Sequence, residues 1–160
     1  MSYNVGVLTS SDRSYHDERE DLSGPKICEL VEKFGYTVKE TAVLPDDQTM
    51  IKELLENWCD GEEIALILTT GGTGFSPRDC MPEATLSVIE RAAPGIAEAI
   101  RAYSLKITPN AMFSRAIAGI RGKTLIVNLP GSPKAVQEAL EFLLPSLPHG
   151  LDILSGTGTD

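Results

Sequence analysis

Two short runs, Ile64-Ala65-Leu66-Ile67-Leu68 and Leu125-Ile126-Val127, are apolar at every position. A strand alternates its side chains between two faces, so a run without a polar member has to be covered on both, as in the middle of a parallel sheet. Three longer segments place apolar residues on one helical stripe: Ile27/Leu30/Val31/Phe34, Ile51/Leu54/Leu55/Trp58 and Val136/Ala139/Leu140/Leu143. Their ends carry helix signals, with Ser23 before Pro25 and Gly35 after the first, Asp46 or Asp47 and Gly61 around the second, and Ser132-Pro133 opening the third. Residues 4–9 and 36–43 read as two further strands beside 64–69 and 124–129. Strands and helices therefore alternate, which predicts a three-layer α/β/α domain with a mostly parallel central sheet. Residues 82–122 read as helical, interrupted at Pro94-Gly95 and Thr108-Pro109.

A chain of 160 residues suits one domain, expected over residues 1–155 with 156–160 as a disordered tail. The net charge of −9 argues against a nucleic-acid partner or an anionic membrane surface, because binding a polyanion requires clustered Lys and Arg. A small anion is still compatible, held by backbone amides and by local cations such as Arg13, Arg78, Lys106, Arg115 or Lys134. The acidic run at residues 17–21 reads as a solvated loop. Cys28, Cys59 and Cys80 have no metal-site spacing, and Cys80 has no histidine near it in sequence to make it a nucleophile. The N-terminus lacks a basic start with a cleavable apolar core, and no apolar run nears the ~18 residues of a membrane span, so the expected compartment is cytoplasmic.

The unusual polar and glycine-rich stretches each follow a predicted strand: Thr9-Ser10-Ser11-Asp12, Pro45-Asp46-Asp47, the segment from Thr69 to Asp79, and that from Asn128 to Ser132. In open α/β sheets ligands bind at the carboxyl edge, so these four segments are expected to converge on one site. Thr69-Thr70-Gly71-Gly72-Thr73-Gly74 allows a tight turn and offers N–H groups to a phosphate. It is neither a Walker A loop, since Gly74 is followed by Phe75-Ser76-Pro77, nor a dinucleotide fingerprint. Taken alone, Asp46 reads as the N-cap of the second helix.

Taken together and in order, Pro45-Asp46-Asp47, Leu68-Thr69-Thr70-Gly71-Gly72-Thr73-Gly74, Arg78-Asp79, Pro82-Glu83-Ala84-Thr85, Ser104-Leu105-Lys106, Ser114-Arg115 and Asn128-Leu129-Pro130-Gly131-Ser132-Pro133 form a specific pattern. The chain resembles the MogA/MoaB family of molybdenum-cofactor biosynthesis over nearly its whole length, from about Val5 to Leu154. Pro45-Asp46 and Arg78-Asp79 match the adenylylating members, MogA and the G domains of gephyrin and its plant counterpart, better than bacterial MoaB. The resemblance implies molybdopterin adenylyltransferase activity, in which ATP and molybdopterin give adenylylated molybdopterin and pyrophosphate. It also implies Mg²⁺ as cofactor, a homotrimer, and hand-over to a MoeA-like molybdate-inserting protein.

Carried over by position, Asp46 and Asp79 are the catalytic and metal-binding carboxylates. Gly71, Gly72, Thr73, Gly74 and Ser104 hold molybdopterin, and Ser10, Ser11, Pro130, Gly131 and Ser132 face the nucleotide. The alternatives are a MoaB-like molybdopterin binder without turnover and a nucleotide pyrophosphatase like the related CinA domain. One departure from the family pattern is Met81, where a threonine usually precedes Pro82. If the helix begins at Pro82 it lacks its capping hydroxyl, and Met81→Thr is expected to stabilise the fold.

Overall fold

The computed structural model describes residues 2–158. The elements in chain order are β1 (Asn4–Ser10), a short α1 (Asp12–Tyr15), α2 (Ser23–Lys33), β2 (Thr37–Leu44), α3 (Gln48–Asp60), β3 (Leu66–Thr70), α4 (Met81–Val88), β4 (Arg91–Ala92), α5 (Pro94–Leu105), a 3-10 turn (Pro109–Phe113), β5 (Ala118–Arg121), β6 (Thr124–Leu129), α6 (Pro133–Leu143) and α7 (Leu147–Ser155). They form one six-stranded sheet in the order β2-β1-β3-β6-β5-β4. The four strands from β2 to β6 run parallel, and β5 and β4 complete the other edge antiparallel.

The apolar runs occupy the middle of this sheet, where β3 pairs with β1 on one side and β6 on the other. Period-two alternation sends Leu66 and Leu68 to one face, against α2, α5, α6 and α7, while Ile67 and Leu8 join Ile51 and Leu55 of α3 and Ala84 of α4 on the opposite face. This is the expected three-layer architecture. Trp58 of α3 covers Gly6 of β1 so closely that a Cβ at Gly6 would come within 2.8 Å of the indole. No helix among the described residues is long and apolar enough to cross a membrane.

Residues 82–122 are not wholly helical, because β4 and β5 pair there and extend the sheet beyond β6. Arg91-Ala92 is too short for a period to be read, and β5 pairs as Ala118-Gly119-Ile120-Arg121, which carries no strong strand signal. Of the tail expected from Gly156, residues 156–158 are described. Gly156 closes α7 at φ +85°, and the N–H groups of Thr157 and Gly158 donate to Asp152 O (each 2.9 Å); residues 159 and 160 lie outside the described residues.

Helix α4 begins one residue earlier than Pro82 suggests, with Cys80 as a cap that offers no side-chain hydrogen bond. Met81 is the first helical residue, and its fully buried side chain packs among the α3-side core residues. The expected gain from Met81→Thr is therefore reversed, because the substitution removes apolar volume from a packed interior and introduces a hydroxyl there. Met81→Thr should lower stability by about 2 kcal/mol, measured as a fall in the urea midpoint at unchanged slope.

Candidate active site

The carboxyl ends of β2, β1, β3 and β6 lie side by side, and their loops meet above the sheet. The meeting is close at Gly71, which adopts φ +89° and passes so near β1 that a Cβ would collide with the Ser10 carbonyl oxygen. Thr70 donates its hydroxyl to Pro130 O (2.6 Å), joining the β3 loop to the β6 loop, and Ser23 at the start of α2 donates to Gly131 O (2.7 Å). Ser23 is thus not the cap of α2, which has none from a side chain at Leu22; Asp21 instead accepts from Gly24 N–H (3.0 Å).

The N-cap of α3 is Asp47, whose carboxylate accepts from Met50 N–H (3.0 Å). Asp46 is thereby released from the capping role that sequence suggests for it. Its Oδ1 accepts from the Ser10 hydroxyl (2.6 Å) and its Oδ2 from the Asp12 N–H (3.2 Å). Asp79 is held within its own loop, accepting from Ser76 N–H (3.0 Å). Both carboxylates lean on the glycine loop: a Cβ at Gly72 would sit 3.4 Å from Asp46 Oδ1, and one at Gly74 would sit 3.1 Å from Asp79 Oδ2.

Two clefts flank this loop. The first, of about 380 Å³, is lined by Ser10, Ser11, Asp46, Gly71, Gly72, Asp79 and Ser132. The second, of about 280 Å³, takes Thr73, Gly74, Ser104 and Pro130, and Gly131 borders both. All the site residues expected from sequence therefore face one cleft or the other. Gly71 and Gly72 fall among the residues expected at the nucleotide, not with Thr73 and Ser104, while Pro130, expected at the nucleotide, falls with Thr73 and Ser104; the glycine loop is thus a wall between two chambers. The second chamber has apolar walls, including Ala97, Ile100, Phe113 and Ala135.

The cations differ from those expected. Arg78 donates to both oxygens of Asp12 (each 3.0 Å), and Arg115 is bound to Glu83 (2.6 and 3.2 Å). Arg115 also donates to Gly74 O (2.8 Å) and Asp79 O (3.1 Å), while its own N–H reaches Thr73 O (2.8 Å), so it braces the glycine loop. Arg13, Lys106 and Lys134 line neither cleft; Arg19 lines the first and Arg101 the second. Arg101 donates through Nη1 to Ser114 O (3.2 Å) and Ala116 O (2.9 Å), with no carboxylate within ion-pair distance among the described residues. Its signal was present in sequence, since Ala97, Ile100, Arg101 and Ser104 share one helical stripe.

Asp21 is a second residue that sequence reading missed. It lines the first cleft and accepts from Thr9 Oγ1 (2.9 Å), so the last residue of the acidic run turns to the cleft while residues 17–20 are exposed, as a solvated loop would be. Burial pushes the Cys80 thiol up, which keeps it protonated and unsuited to nucleophilic attack. Among the described residues no group of three or more His, Cys, Asp or Glu side chains is placed to hold a metal ion. The oxygens of Asp46, Asp79 and Ser10 on the first cleft, where it meets the glycine loop, are hard donors that fit Mg²⁺ if phosphate oxygens and water complete the shell.

Three comparisons bear on what this arrangement serves. A family model described as a probable molybdopterin binding domain matches residues 6–149. The chain is 41% identical over 158 residues to a molybdopterin adenylyltransferase of Helicobacter pylori, covering 98% of this chain and 90% of that protein. It is 43% identical over 154 residues to the molybdenum cofactor synthesis protein cinnamon of Drosophila melanogaster, covering 96% of this chain but only 26% of that longer protein. A crystal structure described as the molybdopterin biosynthesis enzyme MoaB of Thermus thermophilus superposes with a TM-score of 0.91 at 46% identity, covering 99% of each chain.

The bracing by Arg115 can be tested by Arg115→Met, which leaves the carbonyls of Gly74 and Asp79 without their charged donor and should cost about 1–3 kcal/mol at neutral pH. Arg115 also holds the Glu83 carboxyl below the usual carboxylate range. A depressed folded-state pKa contributes stability above the unfolded value, near 4.3, and that contribution is lost as pH falls through the folded value. The gap between wild type and Arg115→Met should therefore narrow below about pH 4, as read from denaturant unfolding at a series of pH values.

Proposed function

The chain belongs to the MogA/MoaB family of molybdenum-cofactor biosynthesis, and from that premise we propose that it is a molybdopterin adenylyltransferase. The observation that carries the reading is the placement of Asp46 and Asp79: neither caps a helix, and both lean on the glycine loop at the edge of the polar cleft. ATP occupies that cleft, and molybdopterin occupies the neighbouring chamber with apolar walls, its phosphate pointing to the seam.

In the reaction an oxygen of the molybdopterin phosphate attacks the α-phosphorus of ATP. A new P–O bond forms, the bond from the α-phosphorus to the bridging oxygen breaks, and pyrophosphate leaves with that electron pair. Mg²⁺ held by Asp46, Asp79 and phosphate oxygens would offset the repulsion between the two anions and align the displacement. The chain's own part is positional. Ser10 and the Asp12 N–H orient the Asp46 carboxylate, and the close backbone approach of the glycine loop would let its amides meet the phosphates. Arg101 supplies a positive charge in the second chamber, which suits a ligand bearing a phosphate. Retention of both aspartates favours turnover over binding alone.

The same reading includes a homotrimer. Phe75 (68% exposed) and Phe113 (47%) stack edge to face with ring centroids 5.3 Å apart, beside an exposed Met112. Such apolar surface supports association between copies, and sedimentation should give three times the monomer mass at micromolar concentration, a stable monomer being the contrary result. Work in the cytoplasm and delivery of the product to a MoeA-like molybdate-inserting protein complete the reading.

The test of the chemistry is Asp46→Asn and Asp79→Asn, assayed for adenylylated pterin and pyrophosphate at saturating ATP and Mg²⁺. Each should lose at least ~100-fold in turnover, equivalent to ~2.7 kcal/mol in the barrier, while thermal unfolding and molybdopterin affinity stay close to wild type. Near-wild-type turnover in both variants would remove the catalytic role, and wild-type protein that binds molybdopterin without forming the product would mark a MoaB-like binder.

A further inference from the structure

The ion pair between Asp12 and Arg78 lies outside the lining of both clefts, yet it joins the loops that carry Asp46 and Asp79. Asp12 follows β1, Asp46 follows β2, and Arg78 immediately precedes Asp79 after β3. Asp46 N–H donates to Asp12 Oδ1 (2.9 Å) while Asp12 N–H donates to Asp46 Oδ2 (3.2 Å), a reciprocal pairing that fixes one aspartate against the other. The Arg78 fork then grips both Asp12 oxygens, so Oδ1 is shared between the Asp46 backbone and the guanidinium. One further tie, Ser11 N–H to Leu44 O (2.9 Å), continues the β1–β2 ladder up to the same point.

An ion pair with side chains 63% and 35% exposed contributes little to global stability. Its geometry therefore matters more than its strength. Without Arg78, Asp12 would present an unneutralised carboxylate beside Asp46, repelling it and competing for any cation brought to the cleft. With Arg78 in place, Asp12 is neutralised and the charge beside it, on Asp46, joins Asp79 and Asp21 in facing the cleft.

We propose that Asp12 and Arg78 are positioning residues, a clamp that sets Asp46 relative to Asp79 and keeps Asp12 out of cation binding. The inference rests on the reading of Asp46 as the carboxylate that serves Mg²⁺ and nucleotide.

The experiment uses the full chain with Arg78→Met, Arg78→Lys and Asp12→Asn, each made in wild-type and Asp46→Asn backgrounds. Three quantities are measured: kcat and KM for adenylylated-pterin formation, the affinity for α,β-methylene-ATP with Mg²⁺ and with EDTA, and thermal unfolding. Arg78→Met and Asp12→Asn should lower kcat by about 10- to 100-fold, the scale of a small misplacement near the chemistry, with unfolding little changed. Arg78→Met should also lose most of the Mg²⁺-promoted gain in nucleotide affinity, Asp12→Asn should lose less because it removes the competing charge together with half of the fork, and Arg78→Lys should recover part of each effect. In the Asp46→Asn background the further loss should shrink to about twofold or less, because the clamp acts through Asp46. Equal losses in both backgrounds, or unchanged kcat and Mg²⁺ dependence in the singles, would overturn the clamp. If Asp12→Asn fails to fold, Arg78→Met, on the exposed side of the pair, decides. Wild-type protein that binds the analogue with Mg²⁺ but forms no adenylylated pterin would defeat the enzymatic reading while leaving the clamp to stand or fall on the binding arm. Wild-type protein that shows no Mg²⁺-promoted binding would overturn the clamp with its premise.

Discussion

The passage of Gly71 against the Ser10 carbonyl is the contact on which the site's layout depends. β1 and β3 are neighbours in the sheet, but the crossover from β1 runs through α2 on one face and that from β2 to β3 through α3 on the other. This reversal opens a crevice at their carboxyl ends, as at other topological switch points of α/β sheets. Only a residue without a side chain lets the two loops close over it in contact. The other ties then follow: Ser10 reaches Asp46, Thr70 reaches Pro130, and Gly131 lies over Gly71. A buried network behind the loops gives them a fixed base, with Asn128 donating to the Thr69 and Thr85 hydroxyls (each 3.0 Å) and accepting from Ile117 N–H (3.2 Å).

The layers of the fold were legible in sequence because they depend on periodicity. Ile67 between Leu66 and Leu68 declares a strand covered on both faces, and the Ile51/Leu55 stripe declares the helix that covers one of them. The antiparallel edge was not legible, since Arg91-Ala92 is set by pairing with β5 and not by any local pattern. Among site residues, Asp46 shows the limit most clearly. Two consecutive aspartates before a helix can each be the cap, and the choice falls to backbone geometry: Asp47, extended at φ −122°, takes the Met50 N–H. Asp21 was hidden for a different reason, because its partners Thr9 and Gly24 come together only when α2 docks beside β1.

Counting cations in the sequence does not say which of them are held by carboxylates in the fold. Arg78, Arg115 and Arg121 are each joined to a carboxylate, Asp12, Glu83 and Asp60, in a protein whose net charge is −9. Three of the seven guanidinium groups have carboxylate partners, and the cations left at the clefts are of two kinds: Arg19, without an ion pair among the described residues, and a guanidinium held by carbonyls alone. Arg101 is of that second kind. Its two carbonyl acceptors fix its place without cancelling its charge, so a cation stands among the apolar walls and hydroxyls of the second chamber.

The packing of Trp58 over Gly6 has a spectroscopic consequence. The chain contains one tryptophan beside four tyrosines, so its indole emission, excited selectively at the red edge of the absorption band, has a single origin, the contact between α3 and β1. At 1.5 Å per residue, Trp58 is about 15 Å along α3 from the end that follows Asp46. A bound nucleotide would not touch the indole. Any change in emission on ligand binding would then report a shift of α3 against the sheet, an optical readout of whether the helix behind Asp46 is a rigid mount or moves with the site.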